Sequence, residues 1–114
     1  MLHGTTLVNS VRVLNNVTVA NGANVVVDCS GSVPAGARAA LVTILAFQTL
    51  ADGYYSCFAD GAANPGTLKA FWSAGAQSAT AALVPLSGSQ RFRLALTSTG
   101  GSCGAAVDLG GYLL

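Results

Sequence analysis

Between residues 90 and 98 the chain alternates strictly, with Phe92, Leu94 and Leu96 on one side of an extended backbone and Arg91, Arg93 and Ala95 on the other. Strand side chains point to opposite faces with period two, so this segment predicts a strand with one core face and one face toward solvent or a partner. Residues 23–29 repeat the pattern: Val25, Val27 and Cys29 fall together, opposite Asp28. Cys29 is therefore expected as a small buried hydrophobe. Residues 38–47 differ, because both sides are apolar, with Leu41, Leu45 and Phe47 against Val42, Ile44 and Ala46. Such a segment predicts a central strand that is covered on both faces or buried in a subunit contact.

The same criteria place further strands near residues 7–14, 54–59, 67–72, 80–86 and 105–113, and no apolar repeat of helical period reaches helical length. Turn residues separate them: Asn21-Gly22, Pro34-Ala35-Gly36, Asp52-Gly53, Asp60-Gly61, Asn64-Pro65-Gly66, Ser87-Gly88 and Gly100-Gly101. About eight strands at this spacing predict an all-β fold, a single antiparallel β-sandwich of jelly-roll-like or immunoglobulin-like form. At 114 residues one domain over 1–114 is expected, with 1–6 as an extended N-terminal arm.

Charge changes the picture. The chain holds five basic residues, four Asp and no Glu. Spread over a folded surface of about 5,700 Å², this is roughly one charge per 600 Å². A weakly charged, nearly neutral exterior favours association, so other copies of the chain or a larger shell protein are the expected partners. No basic cluster exists to neutralise a phosphate backbone, which argues against nucleic acid. The longest apolar run, residues 39–47 with Thr43 inside it, is far short of the roughly 20 residues of a helical membrane span, so no membrane insertion is expected. The N-terminus shows no basic segment followed by an apolar one, and no secretory signal is expected in the chain.

Candidate chemistry is sparse. The single histidine, His3, has no partner acid or cysteine nearby in sequence and is expected as an exposed leader residue. No Gly-x-Ser-x-Gly elbow occurs, and three cysteines, Cys29, Cys57 and Cys103, match no zinc spacing. Asp52 and Asp60 precede Gly in turns, where Asp serves the backbone. Asp28 and Asp108 lie within strands and are expected to bond Arg12, Arg38 or a backbone amide; calcium ligation is the distant alternative, since no Asp-x-Asp cluster exists. No catalytic residue, metal or cofactor is therefore assigned. The adjacent pairs Tyr54-Tyr55 and Phe71-Trp72 each place one ring inward and one outward, and the outer rings could stack on a sugar. The candidate contact surface comprises Tyr54, Trp72, Arg91 and Arg93.

A set of short motifs runs in constant order from residue 12 to the C-terminus: Arg12-Val13-Leu14-Asn15, Ser32-Val33-Pro34-Ala35-Gly36-Ala37, Asp52-Gly53-Tyr54 with Phe58, Trp72-Ser73-Ala74-Gly75, Leu83-Val84-Pro85-Leu86 and Asp108-Leu109-Gly110-Gly111-Tyr112. In this order they resemble a β-sandwich domain that recurs, often in tandem, in secreted and surface proteins of actinobacteria. The chain departs from that pattern at Asn15, where an acid is usual, at Lys69-Ala70-Phe71, and at the additional Ala76. The resemblance implies the fold and a surface context. A lone copy beginning at Met1 without a signal is similar to the surface-type domains that decorate phage virions. The expectation is a non-catalytic structural protein on the virion surface of an actinobacterial phage, a capsid decoration or minor structural protein. The alternative is a cell-wall or polysaccharide-binding module, secreted or on the cell surface after signal removal.

Overall fold

The computed structural model describes residues 6–114. Its eight strands are β1 (Thr6–Val19), β2 (Asn24–Asp28), β3 (Ala39–Phe47), β4 (Gly53–Ala59), β5 (Ala70–Trp72), β6 (Ser78–Pro85), β7 (Arg91–Ser98) and β8 (Cys103–Leu113), and no helix occurs among the described residues. They form two antiparallel sheets of four, sheet A in the order β1-β8-β3-β6 and sheet B in the order β2-β7-β4-β5. The chain changes sheet at every connection except that from β4 to β5. This interleaving of two Greek keys is the jelly roll, which decides between the two sandwich forms anticipated from the sequence. Residues 1–5, and with them His3 and most of the expected arm, lie outside the described residues. Thr6 is already in register with Tyr112.

The core fills the space between the sheets. Sheet A contributes Val19, Ala40, Val42, Ile44, Val84, Ala105, Val107 and Leu109; sheet B contributes Val27, Tyr55, Cys57, Trp72, Phe92, Leu94 and Leu96. The alternation in β2 and β7 thus selects their inner faces as predicted. Two polar atoms are carried into this core, and each is bonded, as burial demands. Tyr55 reaches across the sandwich and its hydroxyl donates to the Gly104 carbonyl at 3.1 Å. The Trp72 indole packs 4.9 Å from the Tyr55 ring, and its Nε1–H donates to the Ala51 carbonyl at 2.9 Å. Gly53, in register with Trp72, leaves the space this needs, since a Cβ there would stand 3.0 Å from the indole.

Two elements differ from their predicted extent. β1 continues five residues beyond Leu14, because register shifts in its pairing with β8 absorb Asn15 and Asn16. Asn16 takes a left-handed φ of 41°, which Asn tolerates, and pairing resumes at Val17↔Ala105. β5 is reduced to three residues, because the preceding loop lies across sheet B instead of extending the ladder: the Ser56 hydroxyl donates to Asn64 Oδ1 at 3.0 Å.

That loop also closes the outer face of β4. In β4, Tyr55, Ser56, Cys57 and Phe58 are all buried, so both of its faces are closed within the chain. β3 is closed on one face only: Ala40, Val42, Ile44 and Ala46 are buried, while Leu41, Thr43, Leu45 and Phe47 are half-buried. Nothing within the chain lies over the outer row of β3 among the described residues. The β3 pattern predicted a central strand covered on both faces or buried in a subunit contact; the strand is central, and the described residues close one of its faces.

Candidate functional site

The outer face of sheet A is ordered by the strand registers into rows that cross the sheet. One row is Leu83, Leu41, Gly111 and Leu7. The next is Ala81, Thr43, Asp108 and Arg12, followed by Ala79, Leu45 and Ala106. Phe47, Gly104 and Thr18 form the last, and the Phe47 ring lies over Gly104 so closely that a Cβ there would overlap it. A glycine beneath an aromatic lets the ring lie flat on the strand and fill the missing side-chain volume. Leu7 is 74% exposed and Leu83 46%. A hollow of about 470 Å³ opens at the Phe47 end between Asn16, Leu45, Gln77 and Ala79.

Charge on this face cancels internally. Arg12 and Asp108 are its charged side chains among the described residues, and they form a forked pair, Nε on Oδ1 and Nη2 on Oδ2 at 3.2 Å. The hydrogen bond to Asp108 holds the Arg12 guanidinium above its ordinary pKa. A neutral, largely aliphatic surface crossing four strands is thereby presented outward.

The outer face of sheet B has the opposite character. Arg93 donates from Nε to Asp60 Oδ1 at 2.7 Å and from Nη1 to Asn24 Oδ1 at 2.7 Å. Arg91 is exposed, with Nε 3.4 Å from Asp28 Oδ2. Both arginines of the candidate contact surface thus have partners within the chain. Asp28 also accepts from the Ser30 amide at 2.9 Å, and bonding to Ser30 holds its carboxyl below the usual carboxylate range. Asp52 accepts from the Ala74 amide at 2.7 Å. All four Asp side chains of the protein are therefore engaged in bonds that position backbone or neutralise an arginine.

The candidate aromatics divide. Tyr54 lies half-buried on the outer face of sheet B, in register with Phe71 and Thr97. Trp72 does not join it: at 7% exposure it belongs to the core, and Phe71, 70% exposed, is the outward member of its pair. Tyr54, Leu68, Phe71, Thr97 and Thr99 border a shallow hollow of about 290 Å³. Arg93 stands four residues from Thr97 along β7, about 13 Å away at strand spacing, so the sequence-predicted set is two places and not one.

The three cysteines are free and buried. Burial pushes the Cys29 thiol up to about 11 and the Cys57 thiol up to about 12, and raises Cys103 as well. Such thiols are protonated and unreactive near neutrality. No group of three or more metal-ligating side chains occurs among the described residues. The rows of sheet A's outer face were only partly visible beforehand, because Leu41, Leu45 and Phe47 share one strand whereas Leu83, Ala79, Ala81 and Leu7 join them only through the register. No family model matches the chain, and no curated protein sequence matches it.

Proposed function

We propose that this protein is a non-catalytic assembly component that docks on a larger protein shell through the outer face of sheet A, as a virion decoration or minor structural protein. The observation that carries the proposal is the neutral face built on Leu7, Leu41, Leu45 and Leu83, whose two charges neutralise each other. Contiguous exposed apolar surface of this kind marks protein contact. Engagement of all four Asp side chains in structural bonds supports the non-catalytic part. The resemblance to surface β-domains and the use of jelly rolls in capsids support the virion as the setting. Virions purified from the source should contain the chain at constant stoichiometry by mass spectrometry, and added chain should cosediment with particles lacking it. Recovery of the chain only as free protein overturns the proposal.

A second reading has its own observation. Phe71 stands exposed beside Tyr54, and an aromatic ledge over a shallow hollow suits the apolar face of a sugar ring. On this reading the chain is a cell-wall or polysaccharide-binding module. Retention on cell-wall glycan that is lost in Phe71→Ala and Tyr54→Ala would favour it over the first. Trp72→Ala is not a clean probe, because it removes core.

A further inference from the structure

The two sheets leave four strands at edges, β1 and β6 in sheet A and β2 and β5 in sheet B. An edge strand presents unpaired N–H and C=O groups and is a template for another strand unless something blunts it. β1 is blunted by three register shifts and carries Arg12. β2 has five residues and ends on Asp28. β5 has three residues, directly after Lys69. β6 has none of these protections. Its eight residues, Ser-Ala-Thr-Ala-Ala-Leu-Val-Pro, carry no charge, and its only proline is the last. Its register with β3 runs without a shift from Ala39↔Pro85 to Ala46↔Ser78. Among the described residues no backbone hydrogen bond joins residues 78–85 to any segment other than β3.

We infer that β6 pairs antiparallel with β6 of a second copy, joining two A sheets into one of eight strands. This rests on the docking role proposed for sheet A's outer face and names the partner that completes it. Antiparallel pairing of a strand with itself has a two-fold axis normal to the sheet, so it closes as a dimer and keeps both outer faces on the same side. Directly opposed side chains must share a face, so the pairing centres on a residue, and full overlap of the eight residues puts that centre at Ala81 or Ala82. In either register Leu83 meets an alanine of the second copy, Ala79 or Ala81, so a large side chain faces a small one across the seam.

Area gives the reason for a second copy. Four strands at sheet spacing and about eight residues of strand give one outer face roughly 19 by 26 Å, or about 500 Å². A standard interface takes about 800 Å² from each partner. Two copies joined at β6 present about 1,000 Å² of continuous neutral surface, enough for stable docking where one copy falls short.

The test is made on the free chain. Sedimentation over about a hundredfold range of concentration should show monomer passing to dimer, by mass action. Hydrogen exchange in the same samples should slow at β6 amides with rising concentration, and stay constant at β1 and β2. Ala81→Lys, which places a charge on an exposed position of the seam, should sediment as monomer at every concentration, while the same charge at the β2 edge, Val26→Lys, leaves dimerisation intact. A strict monomer, a dimer whose β6 exchange is independent of concentration, or an Ala81→Lys chain that dimerises like wild type would each overturn the inference. If Ala81→Lys does not fold, the wild-type exchange pattern decides alone. A monomer that still cosediments with particles rejects the pairing and leaves the docking role standing; a dimer that does not cosediment does the reverse.

Discussion

β3 and β4 occupy equivalent places in the two sheets, each with a neighbour on both sides, yet among the described residues only β4 is closed on both faces. The difference comes from one connection. The link from β4 to β5 stays within sheet B and crosses its outer surface, where Asn64 accepts from Ser56 and Asp60 accepts from Arg93. On β4's outer side Ser56 and Phe58 are both buried, with Ser56 bonded to the loop. β3 has comparable apolar residues on its outer side, and among the described residues Leu41, Leu45 and Phe47 stay half-buried there.

The sharpest way to break this contrast is to truncate one outer residue on each strand. Phe58→Ala should cost about 3–5 kcal/mol, the range for a buried phenylalanine, whereas Leu45→Ala on β3 should cost under about 1 kcal/mol because water already reaches it. Urea unfolding of the two variants checks both figures. Equal costs would mean that the two strands are equally covered.

Alkali probes the other side of β4. Burial holds the Cys57 thiol near 12 against an ordinary 9.0, so the folded state retains a proton that the unfolded chain releases. A group raised in this way contributes its full stability below pH 9 and loses it as pH climbs toward 12. Stability should therefore fall progressively over that window, with Cys29 adding to the slope up to about 11. Cys57→Ala should lower stability at neutral pH and flatten the alkaline decline, measured by denaturant unfolding at several pH values. A thiol reagent should leave the folded chain unlabelled and react with all three cysteines in denaturant.

How far the sequence led follows from which contacts are local. Alternation in β7 and β2 named the inner residues correctly, because period two is a property of the strand itself. The two-sided apolar pattern of β3 was legible too, but whether chain or partner covers its outer side depends on where a distant loop runs. Nothing periodic in residues 60–69 announces that Asn64 meets Ser56 and Asp60 meets Arg93 on the outer side of sheet B. The direction of Phe71-Trp72 was equally hidden, since alternation says that one ring goes inward and not which. The choice falls on Trp72 through the absent side chain of Gly53 and the acceptor at Ala51, both on the neighbouring segment.

The loop's own attachment supplies a smaller test. Ser56→Ala deletes the hydroxyl that donates to Asn64 Oδ1, and Asn64→Ala removes this acceptor, which also receives the Gly66 amide at 2.9 Å. Each should cost about 1 kcal/mol in unfolding, with Asn64→Ala the more costly of the two. Hydrogen exchange should quicken in the loop and not in sheet A. Quickened exchange in β3 or β6 would show that the loop supports both sheets, contrary to the one-sided cover described.

Leu7→Ser is expected to change stability least and function most. At 74% exposure Leu7 gives up little burial when truncated, so the expected change in unfolding free energy is within about 0.5 kcal/mol. Yet it ends the row of Leu83, Leu41 and Gly111 at the β1 side, the side of sheet A farthest from β6, so its loss alters the neutral face without touching the dimer seam. Cosedimentation with particles should weaken while the concentration dependence of sedimentation for the free chain stays as in wild type. If cosedimentation is unaffected and Phe71→Ala abolishes it instead, the working surface is sheet B, and the bare face of β3 is simply exposed.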